Sequence, residues 1–237
     1  MKKVLALVAA ASLVAAASAA FGASIVNSKH NLGSGTTYAY KGTSTQICIY
    51  CHAPHNAKES LPLWNRTNPT NAFKLYSGLN MANVSFSTGF TTDSTSLFCM
   101  SCHDGVTVLG AVHNAGAIEG DALNLNADNS HVEKVAGTFA TGKITSSGNL
   151  TTDLSKTHPI NFVVAASDPQ SDLYAGSGTT MGKNGFTMPL FKATRSGVSS
   201  NRSLECGSCH AVHDSGISPF LRYTMNGSQL CLGCHNK

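Results

Sequence analysis

Hydrophobic residues are spread unevenly along this chain. Lys2 and Lys3 precede an almost wholly apolar run of Ala, Val and Leu from Val4 to Ala17, and the small residues Ala19, Ala20 and Gly22 follow it. A charged head, a short apolar core and small residues behind it predict a secretory leader over residues 1–22, too short for a good membrane span. No cysteine stands near the cleavage region, so a lipid anchor is not expected. Beyond the leader the pattern breaks up. Ser, Thr, Asn and Gly fill Gly33 to Thr45, Ser85 to Ser96 and Thr138 to Thr152, which favours turns and loops over long helices. Between these stretches the pattern predicts short helices at roughly Thr45 to His52, Ser96 to His103, Leu204 to His210 and Gln229 to His235, with Pro54 and Gly105 ending the first two. Partial alternation of Thr, Val, Ile and Phe from Ala136 to Ala166 predicts one small β element.

Composition sharpens this picture. Gly accounts for 22 of 237 residues and charged residues for only 12%. A loop-rich chain builds a poor core, because its backbone groups need water or partners. Something other than regular secondary structure must supply the interior. The formal charge is +4, and removing Lys2 and Lys3 with the leader leaves +2. There is no clustered basic stripe of the kind nucleic acid requires.

The cysteines supply the missing chemistry. All eight fall into pairs of one spacing, Cys48 and Cys51, Cys99 and Cys102, Cys206 and Cys209, Cys231 and Cys234. Each pair is followed at once by histidine, in CIYCH, CMSCH, CGSCH and CLGCH. This is the attachment signature of c-type haem: two thiols reach the vinyl groups on one porphyrin edge and the histidine stands beneath the iron. Zinc sites and disulfides also use paired cysteines, but neither needs histidine in the fifth place. With 10 His in 237 residues, finding it there four times by composition alone is about a few in a million. A thioredoxin-like motif would sit once in a βαβ pattern, and none is visible. Four covalent haems are expected, with His52, His103, His210 and His235 as proximal ligands. If their propionates are ionised, each oxidised haem adds about −1, bringing the holoprotein near −2.

The opposite side of each iron decides between a wire and a catalyst. An open position admits substrate, whereas a second histidine leaves the iron accessible to electrons alone. His55 and His213 each lie three residues after a proximal ligand, in CHAPH and CHAVH. That span is at most about 10 Å, too short to pass round a porphyrin, so each is expected to ligate a different haem from its own motif. His158, between a polar and an apolar run and before Pro159, is expected on an extended segment aimed inward. His30 lies near the predicted mature N-terminus, where flexibility disfavours binding. His113 and His131 are the expected spares, and Met100 and Met225 are read as packing residues. Tyr50, Trp64, Phe98, Phe162 and Phe220 are expected to pack on haem faces and edges.

These residues resemble the multihaem c-type cytochromes with doubled C-x-x-C-H motifs from metal-reducing bacteria, most closely the tetrahaem outer-surface cytochromes of the OmcE type. The matching pieces are SKHNL, CIYCHAPHN, PLWNR, CMSCHDG, THPI, CGSCHAVHD, PFLR and LCLGCHNK. The resemblance implies bis-histidine ligation throughout, with His30, His55, His158 and His213 as the distal set. The fold class implied is a multihaem cytochrome c, mostly loop with short helices around a stacked four-haem core and minimal β structure. It divides into the leader at 1–22, a dihaem module at 23–115, a connecting segment at 116–200 and a second dihaem module at 201–237. Members of this kind form extracellular filaments with an unbroken haem chain, in which a histidine of one subunit can ligate a haem of the next; His30 is the residue expected to do so here. The expected partners are other multihaem cytochromes, extracellular electron acceptors and further copies of the chain. A soluble periplasmic shuttle is the alternative. A multihaem reductase would need an open haem, often marked by an irregular motif, and all four motifs are regular. If haem forms the interior, a variant with all eight cysteines changed to Ser should be largely unfolded, as lost circular dichroism and rapid proteolysis would reveal.

Overall fold

The computed structural model describes residues 24–38, 40–42, 44–59, 62–76, 89–113, 124–125, 131–132, 142–145, 147–164, 173–183, 185–195 and 198–236. The predicted leader and residues 136–141 of the predicted β element lie outside them.

Helix α1 spans Ser96–His103, the range the sequence pattern predicts. It ends because Gly105 adopts a φ of +69°, the left-handed conformation that closes helices. The other three attachment segments are single turns: a 3-10 turn at Ile47–Tyr50, α2 at Cys206–Cys209 and α3 at Gln229–Leu232. They are shorter than predicted for a backbone reason. Immediately after each of these turns a histidine enters an isolated β-bridge, His52 with Trp64, His210 with Leu221 and His235 with Leu173. Such a bridge needs extended backbone, as at His210 with φ −109° and ψ 130°, so the helix cannot continue.

Short β ladders are more numerous than the sequence pattern predicts. The largest is an antiparallel pair of Phe191–Arg195 and Val198–Leu204, with Phe162–Val163 on the far side of the second strand. Val198–Leu204, with the sequence VSSNRSL, has no hydrophobic alternation to announce it; its backbone pairing makes it a strand. It also runs through the boundary expected at residue 200. The predicted β element is represented by Asp153–Leu154, parallel to Lys74–Leu75, and by Phe162–Val163.

Among the described residues the buried apolar side chains form three small clusters, and each touches attachment residues. Tyr50, Leu109 and Val112 pack with Cys51 and Cys102. Met100, inside the second motif, packs with Phe73, Leu75, Leu97 and Leu154. Phe162, Val164, Met181, Met188, Leu190 and Leu204 pack with Cys234 and Cys209. Met100 is thus the packing residue expected, but Met225 is 54% exposed and packs nothing comparable.

A buried carboxylate ties the segments that lead into the second and third motifs together. Glu205, fully buried before Cys206, accepts from Ser94 Oγ at 2.6 Å and from the hydroxyls of Ser96 and Ser203. Its backbone N–H donates to Ser208 Oγ at 3.0 Å, completing a capping box for α2, while Cys206 N donates to Ser96 Oγ at 3.0 Å. The carboxylate therefore clamps the start of α1 to the start of α2. Removing it strands several buried hydroxyls, so Glu205→Ala should destabilise the protein by about 3 kcal/mol. Ser94→Ala should cost only about 1 kcal/mol. Urea denaturation midpoints would measure both.

Candidate haem-binding site

The attachment spacing follows from one helical turn. Residues i, i+3 and i+4 share a helix face, so a Cys pair and the next histidine project together. The closing bond of that turn runs from His52 N to Cys48 O at 2.8 Å, from His210 N to Cys206 O at 3.0 Å and from His235 N to Cys231 O at 2.8 Å. In the second motif α1 itself supplies the turn.

Three of the four attachment histidines are then aimed from behind. The Nδ1 atom of His52 is 2.8 Å from Pro62 O, that of His103 is 2.6 Å from Gly148 O and that of His210 is 2.9 Å from Pro219 O. A carbonyl only accepts, so Nδ1 carries the proton and donates, leaving Nε2 with its lone pair free for a metal. His158 does the same through Pro159 O at 2.9 Å. None of these acceptors was legible in the sequence, because a backbone carbonyl has no side-chain signature.

Three pairs of rings face one another across the chain. His52 and His213 have centroids 5.9 Å apart, His30 and His103 6.0 Å, and His158 and His235 6.2 Å. Two imidazoles bound at about 2 Å on opposite sides of one metal put their ring centres about 6 Å apart. Each pair combines one predicted proximal ligand with one predicted distal ligand from a remote segment. His213 lies against the first motif and not its own, as its short tether required. His55 is exposed on the rim of a cavity of about 600 Å³ shared with Cys48 and His52.

Two histidines differ from expectation. His30 does not sit on a flexible leader. It stacks on Phe220 at 4.4 Å and hydrogen-bonds to the Val212 backbone, and Ser215 Oγ donates to Ser24 O at 3.2 Å nearby. Burial, with the charge of His103 next in weight, lowers its pKa to about 4, so the ring is neutral and able to ligate. A ring held this way lies 6.0 Å from His103 of its own chain. His158 is exposed rather than aimed inward, because the local bond to Pro159 turns its ring outward toward His235. Of the expected spares, His113 donates its backbone N–H to Asn65 O at 2.7 Å, and His131 is placed by its backbone pairing with Val112.

Cysteines of successive motifs meet. Cys51 and Cys102 pack on one apolar cluster, Cys99 and Cys206 hydrogen-bond, and Cys209 and Cys234 share another cluster. Burial, reinforced by the neighbouring thiols, pushes Cys51 and Cys234 up to about 12. Cys99 is raised by its bond to Cys206, which is lowered in turn. Cys48 and Cys231, at the two ends of this series, are exposed.

Residues 200–237 match the family model described as a doubled CXXCH motif. The C-terminal segment is a paired haem-attachment motif. The match takes in Cys206 to His210 and Cys231 to His235, not the chain as a whole, and no curated protein matches the chain. Such motifs hold covalently bound haem c and belong to haem-based electron transfer, and their haem is attached outside the cytoplasm. Among the described residues no helix is long and apolar enough to cross a membrane.

The residues present fit this group. Beyond the thiols and neighbouring imidazoles, the buried atoms Trp64 Nε1, Arg66 Nε, Thr91 Oγ1 and Thr95 Oγ1 have no partner among the described residues, and ionised propionates of a bound porphyrin could accept from them. Trp64 also presents its ring to His52 at 5.9 Å and to Phe98 at 5.1 Å. In the haem-loaded protein, His213→Ala should leave the iron at His52 with one open side. One haem should then turn high-spin and bind cyanide, measured by absorption and electron paramagnetic resonance, while the others stay unchanged.

Proposed function

We propose that this protein carries four c-type haems, each between two histidines, and passes single electrons along them. The observation that supports this best is the opposition of three ring pairs at 5.9–6.2 Å, each joining an attachment histidine to a distant segment. On this reading His52 pairs with His213, His103 with His30 and His235 with His158. His55 is left for His210. The two CHxxH segments favour that assignment, because the first histidine of CHAPH already faces the second of CHAVH and the reciprocal pair would be His210 with His55. With imidazole on both sides the irons are closed to substrate, so the protein is an electron carrier and not an enzyme.

The cysteine contacts support a haem order that follows the sequence, with the second and third haems inside and the first and fourth at the ends. Electrons then enter and leave by the edges at Cys48 and Cys231. The stacked four-haem core would replace the large apolar interior that the three small clusters do not supply.

The finer reading is extracellular. We infer a surface cytochrome that accepts electrons from other multihaem cytochromes, delivers them to external acceptors and assembles with copies of itself. Its support is the resemblance carried by the motifs along the chain. Intact mass and visible spectra should give four haems, all low-spin, and electron microscopy of material sheared from cells should give filaments containing this chain. A colourless protein would sink the haem reading. A monodisperse periplasmic protein with four haems would keep the electron-transfer reading and sink the filament.

A further inference from the structure

Arg66 is a buried cation with no anionic partner among the described residues. Its side chain is 1% exposed, and its guanidinium donates from Nη1 to Leu109 O at 2.6 Å and from Nη2 to Val108 O at 2.8 Å and Ser101 O at 3.2 Å. Each of these acceptors is a neutral carbonyl, and Nε has no partner among the described residues. The buried carboxylate that follows the second motif, Asp104, is committed elsewhere: to Asn71, to Thr107 Oγ1 and to the N–H groups of Val106 and Thr107. A guanidinium removed from water with no opposite charge is costly, and an apolar residue of similar volume would avoid that cost.

Its position is equally specific. Ser101 lies between Cys99 and Cys102, so the guanidinium is bonded into the second attachment motif. The preceding residue, Asn65, holds the first motif, donating its backbone N–H to Cys51 O at 2.9 Å and Nδ2 to Ile49 O at 2.6 Å. Cys51 and Cys102 meet on one cluster. The charge is therefore built into the junction of the first and second motifs.

We propose that Arg66 is an electrostatic tuning residue that raises the reduction potentials of the two haems attached at Cys48 to His52 and Cys99 to His103. The inference rests on the haem reading above. Reduction adds one electron from an external one-electron donor to Fe(III), giving Fe(II), with no bond made or broken. A fixed positive charge in a low-dielectric junction favours the form with one more negative charge. The effect extends to both haems because the cation is bonded into the second motif at Ser101 and its charge also reaches Cys51 of the first, and it biases resident electrons toward that end of the array.

The test is a potentiometric titration of the holoprotein, with haem content verified by mass and absorption. Arg66→Met should lower two of the four potentials. At a fixed ambient potential the reduced-to-oxidised ratio of those haems should fall about tenfold, equivalent to 59 mV for a one-electron couple. Arg66→Lys keeps the charge but loses the fork, and should restore most of the shift. Superimposable titrations of Arg66→Met and the parent would overturn the proposal, as would equal shifts in the Lys and Met variants, which would mark Arg66 as a purely structural clamp. If the Met variant fails to take up haem, the parent labelled with 15N-arginine decides. The Arg66 Nε–H signal should move when the first and second haems are reduced; a signal that follows only the other two, or none, overturns the proposal. A parent without four low-spin haems would instead overturn the haem reading.

Discussion

Two imidazoles about 6 Å apart, delivered by segments far apart in the chain, are the constraint on which the rest of this structure depends. His30 reaches His103, His52 reaches His213 and His158 reaches His235. These contacts draw the N-terminal segment onto the loop after the third motif, and the segment around His158 onto the C-terminus. Chain closures of this length cost entropy, and three small apolar clusters offset little of it. The proposed iron between each pair of rings makes the closures worthwhile, since a metal bond contributes more than a hydrophobic contact of the same size.

Much of the polar burial serves to aim those rings. Carbonyls of Pro62, Gly148 and Pro219 orient three imidazoles from behind. The first and third motifs do this in the same way. After each, the chain loops out and returns through a proline, whose carbonyl takes the Nδ1 proton, and the next residues pair with the attachment turn: Asn65 N to Cys51 O, and Arg222 N to Cys209 O. CHAPH with PLW and CHAVH with PFL are thus two uses of one local device. The reciprocal facing of their histidines follows naturally from that likeness.

Buried charge follows the same economy. Glu205 gathers hydroxyls from segments about 110 residues apart, Asp104 folds its own loop, and Arg66 ties the second motif to the loop after it through carbonyls. In a loop-rich interior, a charged group that satisfies many backbone or hydroxyl partners substitutes for regular ladders. It also leaves fixed charges close to the proposed redox centres, where they bear on potential as well as on folding.

The sequence by itself determined the local chemistry. Four C-x-x-C-H motifs are short-range objects, set by the geometry of one helical turn, and α1 from Ser96 to His103 is read from its residues and from Gly105 behind it. The distal candidates His30, His158 and His213 were also legible, as residue types near the right signals. Tertiary structure alone decided which ring lies near which, that His30 is buried against Phe220 and near His103, and that His158 turns outward. Only tertiary structure could bring Ser94, Ser96 and Glu205 together or bury Arg66 between two motifs. The physical reason is range: spacing along a chain governs a single turn, whereas ring pairing and carbonyl acceptors depend on backbone from segments many residues away, which no side-chain pattern encodes.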